Sequence, residues 1–494
     1  MRSINGWGAA PAALVYFGTL VAAASSLGCR GDVTTPTGKT AAVTDVPPLS
    51  GHRAATIVYT SYGTDGSRAI YAVPEDASAA PVRVSRPGGS AVFAGCLPGR
   101  RVIVAALGAD GSLTDVDVVG AEGDGRATLG TLPAGRWKTV DGAKVDGDVV
   151  ALELGRLDAS GKSDVVALRS GTAPVVLAEN ATLVGAAAGR IAFKTAGSLK
   201  SVRATGGDAV DLGGGDGQDH VLEVRGDRLL VTLHDGGSGD VRIVRFDGSD
   251  KVDLGTPTTD DRAFAFAGSA GVVTTRATPT GRRVLVTGVD GQGERAVSPA
   301  GVDATPLSVT PEGDVLFGDT GALRIAPADG GAARTLDAAA GSSIHFGAVV
   351  DDRAFFTGGE KGGELRTAKL DGSGATQLVG EPTWLSYFST RTPGGRVVFY
   401  RALIGQVEGG RLYSVALDGT DRQPVAEHLV QRDGSPLDRV PADQDFEAVT
   451  PSGRVVLEAE FDGTASHLLV TPGSRDGRRI ADQTNVKFAA LVTE

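Results

Sequence analysis

The sequence predicts an all-β protein assembled from repeats, and three observations support this prediction. Gly is abundant, with 72 of 494 residues, whereas aromatic residues make up only 5%; this balance suits short strands joined by tight turns. No long segment shows helical periodicity. One unit also recurs: a Gly-led turn, an apolar strand, a second strand ending in Asp-Gly, and a short closing strand. Its clearest copies are TPGGRVVFYRA with GGRLYSVALDGTDRQPVAE (392–427) and VDDRAFFTGG with GGELRTAKLDGSGATQLVG (350–380).

The bulk composition indicates a soluble, folded chain that is too long for one ordinary core. The hydrophobic fraction is 41% and the charged fraction is 22%, which is typical of globular proteins. The formal net charge is −11, and no cluster of Lys and Arg stands out. Because phosphate binding needs such a cluster, we expect no nucleic-acid partner.

The N-terminus has the layout of a secretory signal peptide. Arg2 precedes an apolar, Ala-rich stretch, and the sequence SSLGCRGD follows at 25–32. The position of Cys29 after Leu27 and Gly28 resembles a bacterial lipobox, although Ser26 stands where Leu is usual. This resemblance implies cleavage before Cys29 and acylation of its thiol. The alternatives are an ordinary signal cleaved nearby or an uncleaved anchor.

The domain organisation follows from this reading. We expect a signal peptide at 1–28, a flexible tether at 29–50 that is rich in Thr and Pro, and the repeats at 51–494. The expected location is the bacterial cell envelope, lipid-anchored in the outer membrane on its periplasmic or surface face. With Cys29 acylated, Cys96 has no intrachain partner and is expected to be a small buried thiol.

The repeats allow each strand to be assigned a place in a four-stranded unit, A to D. Strands B follow the Gly-led turns, with a mean step of about 45 residues, which is in the range of propeller blades. Their predicted starts are Arg53, Arg101, Asp148, Arg190, Arg228, Gly271, Asp314, Arg353, Arg396 and Arg454. The segment TPTGRRVLV (278–286) resembles an A-to-B turn, but it runs directly into Asp290-Gly291 and is therefore assigned to strand C.

The turns after strand C contain Asp-Gly, a pair that favours tight hairpins. We expect type I′ turns here, in which both central residues have positive φ. The pairs occur at Asp247, Asp290, Asp329, Asp371 and Asp418.

The two ends of the repeat region are complementary. The first unit, RAATIVYT (53–60), begins at strand B and lacks a strand A, whereas VKFAALVT (486–493) has the pattern of a strand A with nothing after it. We therefore expect the C-terminal strand to complete the first unit, which closes a ring and removes exposed sheet edges.

This consensus resembles the TolB-type β-propeller repeat of bacterial periplasmic proteins, most clearly from about residue 300 onward. The resemblance is to the repeat class and not to TolB itself, because the usual Ser-Pro-Asp-Gly turn is replaced by Thr-Pro with Glu312, Gly394 or Ser452 before Gly. It implies a propeller of about ten four-stranded repeats. A single ring of eight to ten blades is favoured, and two tandem propellers are the alternative.

Few residues point to chemistry. GGDGQDHV (214–221) matches one nonapeptide of a calcium-binding β-roll, with Asp219 as a ligand, but such sites need stacked copies and an inter-blade loop explains it equally well. The six His residues are scattered, and we find no zinc-protease motif, nucleophile elbow, P-loop or dinucleotide fingerprint. Paired acids such as Asp260-Asp261 and Asp351-Asp352 are expected in solvated turns. We therefore expect no catalytic residues, metal or cofactor.

Two segments are longer than the repeat requires. They are LIGQVEGGR (403–411) and HLVQRDGSPLDRVPADQD (428–445). Long insertions on a rigid scaffold often carry binding function. The second one is a possible partner-binding surface, with the alternative of a tolerated surface loop. Its candidate residues are His428, Arg432, Asp433, Asp438 and Arg439.

Together these features favour a lipid-anchored, monomeric envelope propeller that binds an envelope protein or glycan without catalysis. The alternative is an envelope enzyme, a lyase or hydrolase, with its site at the channel mouth. A third hypothesis is a purely structural role in a larger assembly.

If Cys29 carries the lipid, replacing its thiol must release the protein from membranes. We expect Cys29→Ala to move most of the protein from the membrane to the soluble fraction on ultracentrifugation, because lipid chains supply the anchoring free energy. Cys96→Ala serves as the control and remains membrane-bound. Retention of the Cys29→Ala protein in the membrane fraction would show that the lipoprotein assignment is wrong.

Overall fold

The computed structural model describes residues 55–493 apart from several short gaps. The gaps are 159–160, 214–219, 236–237, 255–261, 269–270, 342–343, 360–362, 383, 390–395, 401–411, 434, 438–440, 442, 462–464, 472–474, 482 and 484. Within the described ranges the secondary structure consists of strands β1 to β42, and no helix occurs. The all-β prediction is confirmed.

The strands form ten sheets, which we number as blades 1 to 10. Blade 1 contains β1 (Thr56–Tyr62), β2 (Arg68–Pro74), β3 (Val82–Arg83) and β42 (Val486–Val492). Blade 2 contains β4 (Ser90–Leu97), β5 (Arg101–Leu107), β6 (Leu113–Gly120) and β7 (Ala127–Thr131). Blade 3 contains β8 (Trp137–Asp146), β9 (Val149–Arg156), β10 (Ser163–Arg169) and β11 (Val175–Ala178). Blade 4 contains β12 (Thr182–Ala187), β13 (Arg190–Thr195), β14 (Ser198–Arg203) and β15 (Val210–Gly213).

The middle of the chain repeats the same order. Blade 5 contains β16 (His220–Arg225), β17 (Arg228–Asp235), β18 (Ser238–Arg245) and β19 (Val252–Asp253). Blade 6 contains β20 (Arg262–Ala267), β21 (Gly271–Thr278), β22 (Gly281–Gly288) and β23 (Arg295–Ala296). Blade 7 contains β24 (Ala304–Val309), β25 (Val315–Asp319), β26 (Ala322–Ala326) and β27 (Arg334–Asp337).

The last three blades follow. Blade 8 contains β28 (His345–Val350), β29 (Arg353–Gly358), β30 (Glu364–Lys369) and β31 (Ala375–Pro382). Blade 9 contains β32 (Trp384–Ser389), β33 (Arg396–Tyr400), β34 (Leu412–Ala416) and β35 (Gln423–Pro424). Blade 10 has six strands: β36 (His428–Val430), β37 (Pro436–Leu437), β38 (Asp443–Val449), β39 (Val455–Phe461), β40 (Ala465–Thr471) and β41 (Asp476–Arg479).

The blades stand in one ring around a central channel. Within each blade the strands pair in the order A to D. The A strands contact one another at eight of the ten boundaries between blades, which places them innermost. Each of the ten interfaces between neighbouring blades is filled by its own hydrophobic cluster. The favoured single ring is therefore confirmed, with ten blades, and the two tandem propellers are not found.

The C-terminal strand closes the ring as predicted. β42 pairs antiparallel with β1, from Thr56 opposite Val492 to Ser61 opposite Val486. The cluster between blades 10 and 1 joins Tyr59 and Val486 of blade 1 to residues of β38, β39 and β40. The ring of the buried Tyr59 stacks on Tyr71 with centroids 5.6 Å apart.

The predicted repeat register agrees with the strands observed. From Arg101 onward, every predicted B strand begins within one residue of its predicted start, and β22 occupies the C position predicted for TPTGRRVLV. The start predicted at Arg53 lies outside the described residues, and β1 begins at Thr56.

The expected turn type after strand C is wrong. The Gly residues of these Asp-Gly pairs have φ between +75° and +91°, but their Asp residues are not among those with positive φ. The turns are type I, with Gly in the position after the two central residues: Gly419 N–H donates to the Ala416 carbonyl oxygen, and Asp418 is central. Asp418 then uses its Oδ1 to accept a hydrogen bond from the Thr420 backbone N–H at 2.9 Å. This local bond satisfies the aspartate without a left-handed backbone.

A β-bulge recurs at one position of strand A. Here one residue of the inner strand has no partner on strand B, and the bulge increases the local twist of the strand. The extra residues are Ala489, Ala94, Asp141, Val184, Leu222, Phe264, Leu307, Gly347 and Glu447, in blades 1 to 8 and blade 10 in that order.

Removal of β42 tests the closure. Deleting residues 486–494 strips blade 1 of its inner strand and removes residues from the clusters on both sides of that blade. We expect Tm to fall by on the order of 10 °C and the dye ANS to bind the exposed apolar surface. A control lacking only Glu494 melts like the full chain, and a synthetic 485–494 peptide partly restores Tm. Unchanged melting of the truncated protein would contradict closure by β42.

Candidate functional site

The clearest departure from the four-stranded repeat lies at the outer edge of blade 10. Residues 427–437, which we call the blade 10 insert, form β36, a turn and β37. β36 pairs in parallel with strand D of the blade, β41, with His428 opposite Asp476 and Val430 opposite Arg478. The predicted insertion therefore begins in the right place, but its predicted end at residue 445 is wrong because residues 443–445 already belong to the inner strand β38.

Apolar contacts and backbone hydrogen bonds hold the blade 10 insert on the blade. Leu429 is buried and packs in the cluster between blades 9 and 10, with Leu437 against the same cluster. Gly477 permits this contact, because a Cβ there would lie 2.8 Å from the Leu429 side chain. His428 N–H also donates to the Arg475 carbonyl oxygen at 2.7 Å. The insert is thus an ordered addition to the sheet.

The solvent-facing side of the insert carries charges of both signs. The exposed His428 imidazole lies 3.5 Å from the Asp476 carboxylate. The Arg475 guanidinium lies 3.7 Å from the Glu427 carboxylate. Glu427 is half-buried, and the other three side chains are exposed; ion pairs this loose at a surface contribute little to stability. The insert therefore has charged side chains on its solvent side and apolar side chains packed against the blade.

The predicted site residues divide into two groups. His428 begins β36, and Arg432 and Asp433 lie in the turn between β36 and β37. The Oδ1 of Asp433 accepts hydrogen bonds from the Ser435 backbone N–H at 2.9 Å and hydroxyl at 2.7 Å, which fixes that turn. Asp438 and Arg439 lie outside the described residues, as does the segment 403–411.

The histidines of the described residues are spread over three blades. His220 and His234 lie on blade 5, His345 on blade 8, and His428 and His467 on blade 10, while His52 lies outside the described residues. His467 packs edge-on against the Phe461 ring at 5.1 Å. In the described part of the chain no three His, Cys, Asp or Glu residues form a group that could hold a metal ion.

The other predicted positions have the following environments. Cys96 is a buried free thiol, as expected. Asp351 occupies an exposed turn with φ of 54°, which agrees with the expected turn role, while Asp260-Asp261 and Asp219 lie outside the described residues. Cys29 does as well, and among the described residues no helix could span a membrane.

Two buried carboxylates on strand C form ion-pair centres that the sequence did not reveal. Asp164 of blade 3 is fully buried and accepts hydrogen bonds from Arg156 Nη2 at 2.7 Å and from Trp137 Nε1 at 2.9 Å. Asp117 occupies the equivalent register position in blade 2 and binds Arg86 and Arg126. Burial acts to raise the pKa of Asp164, but hydrogen bonds from Arg156 and Trp137 outweigh it and hold the pKa below its ordinary value.

The same position carries the opposite charge in other blades. Arg324 of blade 7 and Arg366 of blade 8 occupy it, and each pairs with a buried aspartate, Asp319 at 2.5 Å and Asp337 at 2.8 Å. These ion pairs could have been predicted from the sequence only by aligning strand C of every repeat and finding a charged residue at the same position. Because each charge is already neutralised by a partner within the fold, we interpret these groups as structural.

Comparison with known proteins assigns no family to the chain. No family model and no curated protein matches the chain. Among solved structures, a eukaryotic initiation factor is similar with a TM-score of 0.45 and 11% identity, covering 75% of this chain and 96% of its own. The β-propeller domain of the Trilobed protease from Pyrococcus furiosus has a TM-score of 0.33 and 13% identity, covering 59% and 96%.

TolB is also among these structures. TolB from Acinetobacter baumannii has a TM-score of 0.26 and 10% identity, covering 50% of this chain and 65% of its own. The four-stranded blades of the structure itself confirm the resemblance to the TolB-like repeat class at the level of the repeat and the fold. It does not extend to TolB as a protein.

The structural role of the buried ion pairs is testable at Asp164. Asp164→Ala leaves the Trp137 N–H without its acceptor and leaves the Arg136 and Arg156 guanidinium groups with the exposed Glu179 as their remaining partner, so we expect the free energy of unfolding to fall by about 2–3 kcal/mol. Asp418→Ala, which removes an exposed turn aspartate, serves as the control and costs less than about 1 kcal/mol. Urea denaturation followed by Trp fluorescence measures both values, and equal effects would contradict the structural role.

Proposed function

We propose that the protein is a lipid-anchored propeller of the bacterial envelope that binds a protein partner through the blade 10 insert and performs no catalysis. The observation that carries this proposal is the insert itself, which adds two ordered strands to one blade of the repeat. A rigid ring with one elaborated rim is a common arrangement for binding.

The chemistry of the insert supports a protein partner over a glycan. The surface that the insert shares with the start of strand D bears both signs of charge, with Arg475 beside Glu427 and Asp476 beside His428. Mixed charges of this kind are typical of the polar rim of protein interfaces. The acyl chains on Cys29 and the tether 29–50 would hold this surface near the membrane while letting it reach its partner.

The enzyme alternative has less support from the described residues. It requires several acidic, His or Arg side chains to converge at the channel mouth, whereas the described histidines lie on three separate blades. The buried Arg–Asp pairs are engaged with one another inside the blades. No specific observation favours a lyase or a hydrolase.

Affinity capture from envelope extracts tests the proposed surface. The double variant His428→Glu/Arg432→Glu makes the insert strongly acidic without touching Leu429 or Leu437. We expect it to recover the partner at least about fivefold less than the unmodified protein does, because reversed rim charges slow association. The readout is quantitative mass spectrometry of the captured proteins.

The control variant carries a charge change at least as large, placed elsewhere on the ring. Arg101→Glu/Lys251→Glu alters two exposed cations on blades 2 and 5, and we expect normal capture. Equal recovery by both double variants would contradict the role of the insert. Loss of recovery only after treatment with a glycan-degrading enzyme would replace the protein partner by a glycan.

A further inference from the structure

A cavity at one end of blade 3, which we call the blade 3 pocket, is lined by charged side chains. Its volume is about 340 Å³, which is within the range of small-molecule sites in proteins. The residues that line it lie just before strand A, at the end of strand B, in the turn after strand B and just after strand D: Gly135, Arg136, Arg156, Asp158 and Glu179. The pocket is not part of the blade 10 insert, so what it binds is independent of the function proposed for the insert.

The buried Asp164 holds the walls of this pocket together. Its Oδ1 accepts hydrogen bonds from Arg156 Nε at 2.9 Å and from the backbone N–H of Asn180 at 3.1 Å. Its Oδ2 accepts hydrogen bonds from Arg136 Nη2 at 3.2 Å and from Trp137 Nε1 at 2.9 Å. The Arg136 guanidinium also lies over the Trp137 ring, 4.7 Å from its centroid, which favours a cation. Because one buried carboxylate binds both arginines, their guanidinium groups are positioned before any ligand enters.

Part of each half-buried guanidinium group is available to a ligand. Arg136 forms its hydrogen bonds through Nη2, and Arg156 forms them through Nε and Nη2. In the described part of the chain no group accepts a hydrogen bond from Nη1 of either arginine. Blade 2 differs at the corresponding place, because Arg86 uses Nε, Nη1 and Nη2 on Asp115 and Asp117. The blade 3 pocket therefore has guanidinium N–H donors that its described surroundings leave to a ligand.

An exposed carboxylate occupies the space between the two arginines. One oxygen of Glu179 lies 2.6 Å from Arg136 Nη2, and the other lies 3.5 Å from Arg156 Nη2. The Glu179 side chain is 60% exposed, so water competes with this pairing and keeps it weak. A planar group with two oxygens and one negative charge therefore fits between the guanidinium groups, and Glu179 can turn into solvent to make room for it.

The charges and the lining of the pocket define the ligand further. Asp164 balances one of the two arginines from inside the blade, and Glu179 balances the other from outside. A ligand carboxylate in place of Glu179 keeps this balance, whereas a phosphate dianion adds a negative charge beside Asp158. Because every side chain that lines the pocket is charged, an apolar acid finds no apolar surface to contact there. The hydroxyl groups of a sugar acid can donate hydrogen bonds to charged acceptors of this kind.

We propose that the blade 3 pocket binds a sugar acid, whose carboxylate takes the place of the Glu179 carboxylate between Arg136 and Arg156. The guanidinium N–H groups donate to the ligand carboxylate, and the ligand hydroxyl groups donate to Asp158 and to water. Glu179 is an internal competitor: the pocket accepts the ligand only when this side chain has turned into solvent, which lowers the apparent affinity.

Isothermal titration calorimetry of the full-length protein with sodium D-glucuronate tests the site. We expect saturable binding of one glucuronate, and binding of D-glucose, which lacks the carboxylate, on the order of tenfold weaker or less. Inorganic phosphate and acetate are titrated at the same pH and ionic strength. Equal binding of glucose, tighter binding of phosphate, or acetate binding as tightly as glucuronate would overturn the proposal.

A hyaluronan tetrasaccharide, which contains glucuronate within a chain, distinguishes the two sources of such a ligand. Tighter binding of the tetrasaccharide than of glucuronate assigns the pocket to a glycan chain, and equal or weaker binding assigns it to a free sugar acid. Failure of both compounds to bind would overturn the proposal.

Removal of the internal competitor gives the most specific result. Glu179→Ala frees the space between the arginines, so we expect glucuronate to bind on the order of fivefold more tightly. The matched control Glu294→Ala removes an exposed acid that pairs with Arg276 on blade 6, and it leaves the affinity unchanged. A purely structural role for Glu179 predicts unchanged or weaker binding in Glu179→Ala, and that result would contradict the proposal.

Loss of an arginine has the opposite effect. Arg136→Gln removes one of the two cations, so we expect glucuronate to bind on the order of tenfold more weakly, with circular dichroism confirming the fold. Arg86→Gln, at the corresponding place in blade 2, serves as the control and leaves glucuronate binding unchanged. Full affinity in Arg136→Gln would overturn the proposal. If Arg136→Gln folds poorly, Glu179→Ala still decides, because the side chain that it removes is exposed.

Discussion

The structure depends on one constraint: a four-stranded blade is apolar on both faces, so each blade must be covered on both sides. A linear stack of such blades would leave the apolar faces of its two end blades exposed to water. In the ring every blade face is covered by a neighbouring blade, and one hydrophobic cluster fills each of the ten interfaces. In this protein the two ends of the chain share a blade, because β42 pairs with β1.

The repeat and its closure could be predicted because they depend on local patterns. Gly-led turns and apolar runs mark strand B in nearly every unit, and the unmatched strands at the two ends are complementary. The turn type was not predictable from Asp-Gly alone, because the Asp418 side chain bonds to the Thr420 N–H and favours a type I turn over type I′. Asp-Gly is compatible with a type I and with a type I′ turn, and the side-chain hydrogen bond of the aspartate favours the first.

The charged groups of the interior could not be predicted for a different reason. Asp164 and Arg366 occupy equivalent positions with opposite charges, so no consensus residue marks the position. Their partners come from distant points in the sequence, such as Trp137 for Asp164 and Asp337 for Arg366. The start of the blade 10 insert was predictable from the broken period. Its pairing with β41 was not, because a parallel strand contact leaves no local signature.

The central claim is that one ring of ten blades is closed by the C-terminal strand. The most direct test is a cross-link between Thr60→Cys and Lys487→Cys, which replace register partners on β1 and β42, with Cys29 and Cys96 changed to Ser. The account predicts a disulfide within one molecule under mild oxidation, seen as faster migration on a non-reducing gel, with an unchanged circular dichroism spectrum. Free thiols, or disulfides formed only between molecules, would contradict it.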